Sequence, residues 1–277
     1  CLKVEPPLLG LNMFYIVVNS QNQKEIIKNV KLAGMPLSVL TRAEQVLNKL
    51  NSSDKKSSSN KKTSLPIGVF DSGIGGLTVV DALAKSLPNE SILYVGDTAR
   101  VPYGNKSKIR IQEFTNEITQ WLVDQNSKMI VVACNTASSL ALDYIKSKFD
   151  LPIIGVIAPG IHSAISITKN NRVGVLGTNA TIKSDAYGEG LRAANDQISV
   201  VSQACPLFVP LAEEGWVSGD VPTAIATTYL ESIKRSNVDT LILGCTHYPL
   251  LKSILRQILG SDVSLVDSGE ATAAAVN

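Results

Sequence analysis

The sequence predicts an α/β fold of two similar parallel-sheet halves related by approximate two-fold symmetry, with the active site in the cleft between them. Three observations carry this. First, two apolar runs, Met129-Ile130-Val131-Val132-Ala133 and Thr240-Leu241-Ile242-Leu243-Gly244, each deliver a cysteine, Cys134 or Cys245, into a polar segment, the first of them the turn Asn135-Thr136, that leads to a helix-forming stretch. Short β-branched and aliphatic runs bounded by turns suit strands buried on both faces of a parallel sheet. Second, a strand-turn unit precedes each run at similar distance, so that Asp71 stands 63 positions before Cys134 and Gly177 stands 68 before Cys245. Third, amphipathic stretches such as Ile109 to Asp124 fall between the runs and supply helices.

Length and composition bound the function classes. The 277 residues are 44% hydrophobic with a formal charge of +2, enough for one large or two modest α/β domains. So balanced a charge argues against nucleic acid as a partner of the main domains. The four cysteines, Cys1, Cys134, Cys205 and Cys245, contain no C-x-x-C pair. A zinc ribbon or redox dithiol therefore finds no support, and free thiols point to a reducing, cytoplasmic setting. The sequence has no apolar run of about 18 residues and no secretion signal, so neither a membrane span nor export is expected. A chain that begins at Cys1 reads as an N-terminally incomplete fragment rather than a mature lipoprotein.

Taken in order, residues 1–50 form a helical extension. Phe14-Tyr15-Ile16-Val17-Val18 is strand-like, and Gln23 to Leu32 and Ser38 to Leu50 read as helices parted by Gly34-Met35-Pro36. Val39, Leu40, Ala43, Val46, Leu47 and Leu50 share one face. Residues 30–50 resemble the carboxyl end of the mismatch-repair protein MutS, but no ATPase motif accompanies them. An appended hairpin without chemistry is the expectation. Residues 51–64, rich in Ser, Lys and Asn, make a flexible linker. The first α/β half then spans 65–160, the second 161–266, and 267–277 begins a return to the first.

Asp71-Ser72-Gly73-Ile74-Gly75-Gly76 follows a strand and opens a helix at Leu77. A glycine-rich turn there can cradle a phosphate or a carboxylate, although its spacing is neither a Walker loop nor G-x-G-x-x-G. Asp71 also suits a helix cap. Asp97 ends the next strand, and Arg100 beside it reads as a solvated loop residue rather than a carboxylate clamp. After Cys134, Pro152 to Ile157 is a strand, and Pro159-Gly160 is read as a break where the chain crosses into the second half. His162 is expected at a helix start on the surface, Cys205 as structural and Glu214 as exposed.

A strand-end cysteine meets a helix N-terminus, whose dipole and free N–H groups favour a thiolate over the ordinary thiol near pH ~8.5. The alternative is a small buried core cysteine. Two facing copies favour chemistry: one thiolate removes a proton from a carbon acid while the opposite thiol returns one to the other face. That is two-base racemisation. His247, two residues after Cys245, is a natural hydrogen-bonding partner for that thiol.

The motifs Phe70-Asp71-Ser72-Gly73-Ile74-Gly75-Gly76-Leu77, Tyr94-Val95-Gly96-Asp97-Thr98, Val101-Pro102-Tyr103-Gly104, Ala133-Cys134-Asn135-Thr136-Ala137 and Leu243-Gly244-Cys245-Thr246-His247-Tyr248-Pro249-Leu250 resemble those of glutamate racemases, within the aspartate/glutamate racemase family, over residues 66–277. The resemblance implies interconversion of L- and D-glutamate with no cofactor and no metal, supplying D-glutamate for peptidoglycan. It implies Cys134 as the base for D-glutamate and Cys245 as the base for L-glutamate, with Asp71 assisting the first thiol and Glu213 and His247 the second. Asp71, Ser72, Tyr103, Gly104, Asn135, Thr136, Thr246 and His247 are the implied substrate contacts. Glutamate is the implied partner, and a homodimer is compatible with the resemblance. The family has more helix than this chain carries at its end, which bears on stability. Paired strand-end thiols alone also suit a racemase or decarboxylase acting on aspartate, hydantoin or malonate substrates. A two-domain amino-acid-binding protein without catalysis is the reading outside the enzymes.

Overall fold

The apolar runs become the middle strands of two sheets. The computed structural model describes residues 14–18 and 65–276. The first sheet contains β1 (Phe14–Val18), β2 (Ile67–Asp71), β3 (Ile92–Gly96), β4 (Met129–Val132) and β5 (Ile153–Gly155), in the order β1-β3-β2-β4-β5. The second contains β6 (Arg172–Gly177), β7 (Ser199–Ala204), β8 (Thr240–Gly244) and β9 (Ser264–Asp267), in the order β7-β6-β8-β9. β1 runs antiparallel along the edge of β3, and every other pairing is parallel. Leaving β1 aside, the two sheets repeat one topology.

Helices cover both faces of each sheet because alternate strand residues are apolar on both sides. α1 (Leu77–Ser86) follows β2, and α2 (Lys108–Asp124) and α3 (Asn135–Lys146) flank β4. In α2, Ile111, Thr115, Ile118 and Leu122 fall at the three-and-four spacing of one helical face and are buried, while the Ser107 hydroxyl caps the helix on the Arg110 N–H. One core layer joins Val69, Tyr94 and Val131 to α1; the opposite layer joins Phe70, Val95 and Val132 to α2 and α3. Burying each such side chain contributes about 2 kcal/mol.

In the second half, α4 (Ile157–Ile167), α5 (Asn179–Ser184) and α6 (Ala186–Ala194) precede β7, and α7 (Phe208–Glu213), α8 (Asp220–Arg235) and α9 (Lys252–Leu259) surround β8. The last helix, α10 (Ser268–Val276), packs back on α1 and α4.

Two expectations are corrected. Pro159-Gly160 does not break the chain: α4 runs through both, because Pro159 lies in its first turn, where a missing N–H forfeits no helical bond. The position between residues 160 and 161 therefore lies inside a helix. Asn135-Thr136 is likewise the first turn of α3 rather than a separate turn, with Cys134 as its cap residue. The expected helices before residue 51 and the linker at 51–64 lie outside the described residues. No described helix is long and apolar enough to cross a membrane.

Candidate active site

Strand order reverses at β2 in one sheet and at β6 in the other, and the crevice beyond such a reversal is where open α/β sheets bind ligands. The two crevices meet in one cavity of about 270 Å³. Cys134, two residues beyond β4, and Cys245, immediately beyond β8, both line it. Ser72, Tyr103, Gly104, Asn135, Thr136, Glu213, Thr246 and His247 line it as well. Asp71 does not; it lies wholly buried behind the wall.

Asp71 is held from three sides. Its carboxylate accepts the N–H groups of Gly73 and Gly76 at 3.1 and 3.0 Å and the Thr246 hydroxyl, from the other half, at 3.3 Å. Burial raises its pKa from the ordinary carboxylate value, against the pull of the His247 charge and these donors. The glycines around it are not a phosphate cradle. A Cβ at Gly75 would stand 2.5 Å from His247 Nδ1 and 2.5 Å from Thr246 Oγ1, so glycine there admits the loop of the opposite half.

Cys134 is 5% exposed and does not face open solvent. Burial pushes its thiol up to about 12, and the Asp71 charge pushes the same way; the Ala137 N–H and the Ser72 hydroxyl, 3.7 Å away, offset this only in part. The helix N-terminus eases this thiolate through the Ala137 N–H, as expected, but the net shift is upward rather than downward. A helix end contributes about 0.3–1 kcal/mol, and desolvation beside a carboxylate outweighs it.

The second thiol has different company. His247 Nδ1 lies 3.8 Å from Cys245 Sγ, and its Nε2 lies 3.3 Å from Glu213 Oε1, within ion-pair reach but off the line of a hydrogen bond. Burial alone would depress the imidazolium; Cys245, Glu213 and Asp71 raise it instead, to about 10. His247 is therefore a cation at neutral pH, 4% exposed and pressed against the Cys245 sulfur.

Other candidates fall elsewhere. Arg100 is not solvated: it pairs with Asp97 at 2.6 Å and Glu117 at 2.5 Å and lies 4.1 Å over the Phe114 ring. The Tyr103 hydroxyl also donates to Asp97, so Tyr103 lines the cavity with its ring, and Gly104 does so beside Thr178. His162 is exposed, though midway along α4 rather than at a helix start, and Cys205 is buried in the core of the second half. Among the described residues, no group of three or more His, Cys, Asp or Glu is placed to hold a metal ion.

Sequence reasoning missed Thr178 and Asn179, which also line the cavity. The hydroxyls of Thr136, Thr178 and Thr181 form a triangle across the two halves at 3.0, 3.2 and 3.1 Å. The internal repeat held the signal, since Thr178 follows Gly177 as Ser72 follows Asp71.

Residues 67–276 match the Asp/Glu/Hydantoin racemase family. A glutamate racemase from Geobacter metallireducens is 51% identical over 207 residues, 75% of this chain and 77% of that protein. A glutamate racemase of Francisella tularensis solved in complex with D-glutamate superposes with a TM-score of 0.72 at 45% identity, covering 76% of this chain and 79% of that one. A glutamate racemase isoform from Bacillus anthracis gives 0.73 at 40% identity, covering 78% and 81%.

Proposed function

The chain belongs to the Asp/Glu/Hydantoin racemase family, and from that premise we propose that it is a glutamate racemase working by two-cysteine proton transfer. The observation that supports this best is that both thiols line one small cavity between the halves. In this reading Cys134, whose burial and Asp71 neighbour hold its proton, is the thiol, and Cys245, with the His247 cation 3.8 Å from its sulfur, is the base for L-glutamate. Cys245 takes the α-proton of L-glutamate; the electron pair left on carbon takes the Cys134 proton on the opposite face, giving D-glutamate, and the reverse reaction starts from the exchanged pair.

Asn135, Thr136 and Ser72, which line the cavity, act as donors to the substrate carboxylates, while Thr246, whose hydroxyl donates to Asp71, forms part of the wall they share. Asp71 works through the loop behind Cys134, and Glu213 through His247. Tyr103 and Gly104 form the wall the substrate rests on. We place the enzyme in the cytoplasm, supplying D-glutamate for peptidoglycan.

Incubation with L-glutamate in deuterated water tests the reading. Deuterium should enter the α-carbon and optical rotation should decay to zero, while L-aspartate and a hydantoin stay unchanged. Cys134→Ser and Cys245→Ser should each abolish inversion and retain glutamate binding. Unlabelled glutamate from the wild-type protein, or near-normal inversion by either variant, refutes the assignment.

A further inference from the structure

Tyr187 lies outside the cavity lining, yet its side chain meets the neighbours of both thiols. It sits on α6 in the second half, 2% exposed. Its ring is wedged against Gly244, the residue before Cys245, where a Cβ would stand 3.1 Å from the ring, and against Gly160 of α4, where a Cβ would stand 3.3 Å away. Its hydroxyl reaches into the first half and lies 2.6 Å from Oδ1 of Asn135, the residue after Cys134.

The relay continues beyond Asn135. Nδ2 of Asn135 lies 3.4 Å from the Ser268 hydroxyl, which lies 3.4 Å from the Leu243 carbonyl. Asn135, Ser268 and Tyr187 are all buried, so water does not compete for these groups. The proton order follows from the last acceptor. A carbonyl cannot donate, so Ser268 donates to Leu243 and accepts from Asn135; Asn135 therefore presents N–H there and its oxygen to Tyr187, which donates. Turning the amide over would set its N–H against the Tyr187 oxygen and its oxygen against Ser268, whose single proton would then leave Leu243; the observed order leaves N–H, not oxygen, for an anion in the cavity.

We propose that Tyr187 is a positioning residue for glutamate: its hydroxyl locks the Asn135 amide as a donor toward a substrate carboxylate. This rests on the racemase reading above. Losing the lock removes binding shared by ground state and transition state, which appears in KM rather than kcat.

The test is Tyr187→Phe, which keeps the ring between the two glycines and removes the hydroxyl. KM for both glutamate enantiomers should rise about tenfold, with kcat within about threefold of wild type, the scale of one buried hydrogen bond. In an Asn135→Ala background the same substitution should change KM by less than about twofold, because the group it orients is gone. An unchanged KM in the single variant, or a full tenfold effect in the Asn135→Ala background, overturns the proposal. Should Tyr187→Phe fail to fold, Ser268→Ala reads the relay from its other end: KM should rise, and an unchanged KM overturns the proposal equally. A wild-type protein that does not racemise glutamate refutes the racemase reading itself, before any variant is compared.

Discussion

His247→Asn separates the charge of His247 from its hydrogen bond. An Asn amide can keep a neutral donor near the position of Nδ1, 3.8 Å from the Cys245 sulfur, while removing the positive charge. When Cys245 works as the base, an anionic sulfur and the imidazolium at that distance attract by about 4 kcal/mol at an effective dielectric of about 20, which sets an upper bound of about three powers of ten in rate. Both groups are buried, at 6% and 4% exposure, so screening by solvent is slight in the native site. Water entering beside the smaller Asn recovers part of the loss. We therefore expect kcat/KM to fall by about 10²- to 10³-fold. The two enantiomers are equal in free energy, so the loss must be the same from L- and from D-glutamate. Following the ellipticity of each enantiomer at pH 7 measures it. A loss smaller than about tenfold, with the fold intact, would refute the view that the imidazolium charge assists Cys245 as the base.

Three further outcomes are expected. Gly75→Ala should lower kcat/KM by at least about a hundredfold while the fold survives, because its Cβ would displace His247 and Thr246, and small misplacements of reacting groups cost that much; a crystal structure of the variant with His247 unmoved and activity near wild type would contradict this. Asp239→Ala should destabilise the protein by about 1–3 kcal/mol, about 2–4 °C of Tm per kcal/mol, with kcat/KM unchanged: its carboxylate accepts from the Thr168 hydroxyl and the Lys169 and Asn170 N–H groups at the start of β8, the end of the strand away from Cys245. Alkaline stability follows His247, whose folded pKa of about 10 lies above the ordinary 6.5. The folded state binds the extra proton, so this stabilisation is complete below pH 6.5, declines from there to about 10 and is gone above; thermal melts should show Tm falling over that window, and His247→Asn should flatten the slope.

What could be read from the sequence was local or repeated. Strands β2, β4, β6 and β8 announced themselves as apolar runs ending in turn residues, α2 as a stripe at helical spacing, and the pairing of Cys134 with Cys245 as a device that occurs twice. What could not be read depends on residues far away in the chain. Arg100 looked like a solvated loop residue because its ring partner Phe114 and its second carboxylate, Glu117, lie on the following helix. Gly75 looked like part of an anion cradle because the loop it makes room for, Thr246-His247, belongs to the other half. The burial of Cys134 comes from the core of its own half, where Phe70 and Tyr103, from segments distant in the chain, pack in the same cluster.

The repeat also shows where symmetry ends and chemistry begins. Corresponding strand ends, Asp71 on β2 and Gly177 on β6, carry unlike residues, so the first half sets a buried carboxyl near its thiol and the second has none at that position. The second half instead sets an imidazole beside its thiol and a glutamate beyond it. Burial and then a negative neighbour keep the proton on Cys134, whereas the neighbour of Cys245 is a cation. Two-base inversion requires one protonated and one bare sulfur at every turnover, and two identical halves would leave the choice undefined. Departures from the repeat at Asp71, Glu213 and His247 give the two thiols unlike surroundings, so the two directions of the proposed inversion draw on different neighbours.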